Sequence, residues 1–244
     1  MYNDFNGNNQ NRMVLEEQAG ALEARSALYM AKVMGWMCVG LLTTVVSAML
    51  CLAVEQISLM VSYGFITIIV AQLICVMILS LAIGKMSPAM ATVMFMLYSA
   101  LTGLTMSVFV LIYDLSTIAL AFGIAAGIFL TMSVYGFVTQ KDLSSYRRLL
   151  LFALIGLILS GIVNMLLRNA FFDFLICCAG VLIFIGLTAY DTQKIKAIYQ
   201  TAIVSGSDEE SDEIRKLAII GALMLYLDFI NIFLYILRLL GRRR

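Results

Sequence analysis

Two acidic residues stand inside apolar stretches of this chain. Asp228 lies about halfway along a run that begins near Leu217 and ends before Arg238, in "LYLDFINIFLYILRLLG". Asp191 lies toward the C-terminal end of another, in "FIGLTAYDTQKIKAIY". An ionised carboxylate at the centre of a membrane helix costs roughly 2.5–3.5 kcal/mol even on the more lenient insertion scale. Such a group normally faces the interior of a bundle and pairs with something there. Two carboxylates brought within a few ångströms cannot both ionise freely and titrate as one coupled unit. They are also hard oxygen ligands. Because Ca²⁺ takes about 6–8 oxygens, a pair would need water and backbone carbonyls to complete its shell. The chemistry that these types and positions suggest is an ion or proton site, with a structural polar clasp between helices as the plainer alternative.

Several residues could support the pair. Lys194 follows Asp191 by three positions and shares its helical face. Lys85 ends the second apolar run, and the loops after the second and sixth runs share one side of the membrane in any seven-span arrangement. Either lysine could serve as the positive partner of Asp191. Asn231, three residues after Asp228, can hydrogen-bond to it, and Tyr226 and Tyr235 are near on the same run.

Other chemistries are excluded. The chain has no histidine, which removes His-ligated zinc and Ser-His-Asp catalysis. Cys38, Cys51, Cys75, Cys177 and Cys178 all fall in apolar stretches without CxxC spacing. They read as small hydrophobes rather than a disulfide framework. Intramembrane aspartyl proteases also carry a Tyr-Asp in one span and an Asp in the next. Here the second acid follows "LYL", and nothing resembles the Pro-Ala-Leu motif of those enzymes. The expectation is therefore a protein that is not an enzyme and needs no cofactor, with calcium at most a passing ligand. With a net charge of +1 and no basic stripe, nucleic acid is not an expected partner.

The elements that must position the acids are membrane helices. The chain is 62% hydrophobic and 13% charged, against about 45–50% and 25% for soluble domains. Runs long enough to cross the hydrocarbon cover roughly 30–54, 58–84, 89–112, 116–138, 149–167, 172–196 and 217–239. The fold class is an all-α integral membrane protein, and the lipid bilayer is its first partner. Residues 1–29 read as a polar tail, mostly disordered with helix allowed from Glu16, and 30–241 as the membrane domain. Residues 242–244 form a basic tail, and the acidic stretch 205–216 reads as a solvated loop. Basic residues concentrate on the side of the N-terminus, which predicts that end inside, although Arg242, Arg243 and Arg244 argue the other way. Gly123-x-x-x-Gly127 has the small-residue spacing of close helix contacts, and Gly103, Gly156, Gly161, Gly180 and Gly186 are candidates for the same role.

"AYDTQKI" at 189–195 and "LYLDFINIFLYILRLLG" at 225–241 resemble the signature of the Bax inhibitor family in its bacterial YccA-like branch. "MFMLYSALTGLTMSVF" at 94–109 is similar to the family's third-span segment. The resemblance covers roughly residues 30–241 and implies a seven-helix bundle whose last helix is central and wrapped by the other six. It implies a location in the bacterial inner membrane and a pH-sensitive calcium leak. The family's two pore-side acids fall on Asp191 and Asp228. A latch arginine at the end of the second span falls on Lys85, a point charge without the bidentate fork of arginine. The family also permits another role, a scaffold that binds membrane proteins such as a quality-control protease.

Overall fold

A computed structural model describes residues 2–241. Seven helices are long and apolar enough to cross a membrane, and no strand occurs among the described residues. They are α1 (Tyr2–Ala53), α2 (Glu55–Ala82), α3 (Pro88–Ile112), α4 (Leu115–Val138), α5 (Arg147–Leu167), α6 (Ala170–Val204) and α7 (Asp212–Leu240). Short 3-10 turns at Ile83–Lys85 and Leu143–Tyr146 join α2 to α3 and α4 to α5.

Local chemistry sets several helix starts. The side chain of Ser87 accepts from the Met90 amide while Pro88 opens α3, where a missing N–H costs nothing. Asn169 caps α6 through the Phe172 amide, and Ser211 caps α7 through the Ile214 amide. At α1 and α2 the break is a single extended residue, Val54.

Around α7 stand α6, α4, α1 and α3, which are its main neighbours. In its most apolar window 61% of residues are buried, against 6% for α5. The last helix is thus the core of the bundle. Two helices stand outside that ring: α2 packs on α3 and α1, and α5 packs on α6.

Close approaches between helices use glycine where backbone meets backbone. A Cβ at Gly136 of α4 would strike the Ala189 carbonyl of α6. One at Gly103 of α3 would strike the Thr44 carbonyl of α1. At Gly180 of α6 it would meet the Tyr235 ring of α7. Gly123, Gly127, Gly156 and Gly161 have nothing within 4 Å of an added Cβ. The Gly123-x-x-x-Gly127 pattern is therefore not a contact seam within this chain, contrary to expectation.

The N-terminal segment also departs from the disordered tail expected of it. It is helical from Tyr2 and continuous with the first span. From Glu23 onward this helix is held by tertiary contacts. Tyr29 stacks on Tyr199 with ring centroids 4.2 Å apart, and Gln200 donates to the Ser26 hydroxyl at 3.2 Å. Arg25 pairs with Glu209, and Lys196 with Glu23. The basic tail 242–244 lies outside the described residues.

Candidate ion site

The two acids come from consecutive antiparallel helices whose register is fixed by contacts on either side. Tyr235 stands against Gly180, and Gly221 stands against Ile195. That register sets Asp228 level with Leu187 and Thr188. Asp191 then lies about one turn, roughly 5 Å along the axis, nearer the α6–α7 loop. Each belongs to the packed part of its helix, with Asp228 4% exposed and Asp191 half-buried. Asp191 is the acidic group whose charge bears on Asp228, and Lys194 is the basic group whose charge bears on both.

The Oδ2 atom of Asp228 is fully buried and has no hydrogen-bond partner. Leaving such an atom unpaired costs about 1–3 kcal/mol, and more for a charged group. Two more buried hydroxyls in this part of the bundle are equally unpaired: Ser133 Oγ on α4 and Thr192 Oγ1 on α6. Gly136 against Ala189 sets the α4–α6 register, and α4 and α6 cross in the same direction. Ser133 is therefore in the same layer as Asp228. Thr192 was not singled out from the sequence, although its place next to Asp191 is a signal that could have found it. No sequence signal pointed to Ser133, a small polar residue in a span without charge.

The supporting residues divide. Lys194 is on the acids' side, as its spacing allows. Lys85 is exposed in the turn after α2. The ion pairs among the described residues are Arg25–Glu209, Lys196–Glu23 and Arg238–Asp173, none of which includes Lys85 or either acid. The expected Lys85–Asp191 latch is thus not formed. Its helix packs on α3 and α1, outside the α6–α7 pair. Asn231 does not reach Asp228 either, because its Nδ2 donates to the Leu227 carbonyl at 2.7 Å. Tyr226, two residues before the acid and so on nearly the opposite face, bonds to the Thr44 hydroxyl at 2.6 Å. Tyr235 packs near Phe184, with centroids 6.0 Å apart.

Above the acids, toward the α6–α7 loop, opens a cleft of about 720 Å³. Asp142, Tyr190, Gln193, Lys194 and Glu213 are among its lining residues, and Asp191 and Asp228 are not. Gln193 braces one wall: its Oε1 accepts from the Leu143 amide and its Nε2 donates to the Lys141 carbonyl, both at 2.8 Å. On the same loop the hydroxyl and amide of Ser144 both donate to Asp142, holding its carboxyl below the usual carboxylate range. Lys194 thus stands between an open, polar cleft and a closed acid layer.

Fold and site together define a multi-pass α-helical membrane protein whose central helix carries a buried acid. Residues 26–244 match the family model described as "Inhibitor of apoptosis-promoting Bax1". The chain is 44% identical over 219 residues to the inner membrane protein YbhL of Escherichia coli K12, covering 88% of this chain and 92% of that one. It is 42% identical over 220 residues to an uncharacterized protein of Borreliella burgdorferi, again covering 88% and 92%. A further uncharacterized protein, RP147 of Rickettsia prowazekii, is 41% identical over 218 residues, covering 88% of this chain and 90% of its own. The chain belongs to the Bax inhibitor family and is a multi-pass protein of the bacterial inner membrane.

Proposed function

We propose that this protein is a cation leak pathway, with calcium the favoured ion and Asp191 and Asp228 as its site. The observation that carries the reading is the buried, unpartnered Oδ2 of Asp228 on the helix at the centre of the bundle. A clasp between helices would engage both carboxylate oxygens with donors, whereas an ion site leaves oxygen free. Among the described residues no group of three or more Cys, Asp and Glu could hold a metal. A Ca²⁺ ion at this pair would complete its shell with carbonyls and water, which favours passage over storage. We take the pair to be non-catalytic, since the second acid follows "LYL" and the Pro-Ala-Leu motif of the intramembrane aspartyl proteases is not found in the sequence.

The pair also offers a pH response. When both carboxylates are ionised, their charge attracts Lys194 from the cleft wall. A proton shared by the pair weakens that attraction, so mild acidification favours opening. Protonation also removes ligand charge, so flux falls again once both acids are neutral.

The test is ion flux in proteoliposomes made from the pure full chain. Ca²⁺ release should be fast with the wild type and lost in Asp228→Asn, which removes charge at constant size. Equal flux in the two would move the function to a scaffold that binds other membrane proteins, such as a quality-control protease.

A further inference from the structure

At the end of the bundle away from the α6–α7 loop lies a second cleft of about 670 Å³, lined by Tyr113, Asn164, Arg168, Asn169, Asp173 and Arg238 among others. Its charges are unequal. Arg238 of α7 is ion-paired with Asp173 of α6, and Asp173 also accepts from Asn164 Nδ2 at 3.2 Å. Arg168 forms no ion pair among the described residues. One guanidinium is therefore surplus in the cleft. From Gly241, on the rim, the sequence continues into Arg242, Arg243 and Arg244.

The backbone at Arg168 sharpens the question. It closes α5 in the left-handed conformation, at φ 52° and ψ 37°, donating its amide to the Asn164 carbonyl. Glycine or asparagine normally fills this position, because a larger residue there costs roughly 1–2 kcal/mol. It is the one non-glycine residue with positive φ among the described residues. Apolar side chains flank the cleft on the membrane side: Met165, Leu166, Leu167 and Phe171 are 78%, 80%, 64% and 70% exposed. A surplus guanidinium over an apolar, lipid-facing shoulder matches a molecule with an anionic head and acyl tails. Guanidinium pairs phosphate through two parallel hydrogen bonds.

We propose that this cleft binds an anionic phospholipid, with Arg168 holding the headgroup phosphate and the acyl chains lying along Leu166, Leu167 and Phe171. The site is remote from the acid pair and stands or falls independently of the leak. It also gives Arg168 a counter-ion in the membrane itself.

Native mass spectrometry of the purified full chain in detergent, titrated with phosphatidylglycerol, phosphatidylcholine or inorganic phosphate, tests this. Arg168→Gly is the informative variant, because glycine relaxes the left-handed backbone and a folding defect is not expected. The first phosphatidylglycerol should bind the wild type well ahead of phosphatidylcholine. In Arg168→Gly that affinity should drop about fivefold, the usual effect of one basic residue at an anionic lipid surface. Unchanged phosphatidylglycerol binding in the variant would overturn the assignment. So would equal binding of phosphatidylcholine, or inorganic phosphate displacing the lipid at equal concentration, which would make the cleft a plain anion site.

Discussion

Asp228 carries opposite implications for stability and for function. Its buried oxygen lacks a donor, and an apolar residue of similar volume would remove that deficit. Asp228→Leu should therefore raise the thermal midpoint of the detergent-solubilised protein, by about 1–3 kcal/mol of stability, while abolishing flux. A fall in midpoint would mean that the carboxylate is a structural clasp and would sink the ion site. Asp228 and Asp191 were legible in the sequence because a charge inside an apolar run violates the pattern around it. Lys194 was legible because helical spacing alone brings it beside Asp191. Asn231 was misread for an equally local reason. The carbonyl four residues back is always within reach of a helical asparagine, and here it wins over the acid.

At the scale of helices, the seven spans could be read from length and hydropathy, but their faces could not. Spans apolar on every side leave no periodic stripe to show which glycine meets a neighbour. Gly123-x-x-x-Gly127 fits a packing motif and faces open space, whereas Gly136 is pressed against the Ala189 carbonyl. Gly136→Ala should cost about 1–3 kcal/mol through overpacking. Gly123→Ala should be neutral or stabilise by up to about 1 kcal/mol, since alanine is the better helix former. Thermal midpoints of the two variants in one detergent check this, and equal midpoints would disprove the close α4–α6 crossing. The contacts that fix residues 23–29 of α1 were illegible for a related reason. Their partners Lys196, Tyr199, Gln200 and Glu209 are far away in sequence and invisible to any local window.

Across the whole molecule, the arrangement of helices decides which lysine can govern the acids. Two loops on one membrane face need not be adjacent, and α2 packs outside the ring around α7. Lys85 is separated from the pair for that reason, and no sequence pattern could have revealed it. Lys85→Met should leave the pH profile of Ca²⁺ flux close to wild type. Lys194→Met should move it to higher pH, because a neutral side chain no longer favours the ionised carboxylates. Flux recorded between pH 5 and pH 8 on the two variants, a window of about three units around neutrality, separates them. A shift confined to Lys85→Met would restore the latch on the second span and remove Lys194 from the mechanism.

The helix at the core is also the last of the seven to leave the ribosome. Until α7 emerges, the inward faces of α1, α3, α4 and α6 have no centre to close upon. Thr44, whose hydroxyl bonds to Tyr226 of α7 in the finished bundle, must wait in the membrane without that partner. The α1–α3 and α4–α6 contacts can form earlier, but assembly of this bundle is completed only at the end of synthesis. A chain that stops before α7 lacks its core and leaves the faces of α1, α3, α4 and α6 that pack on it open.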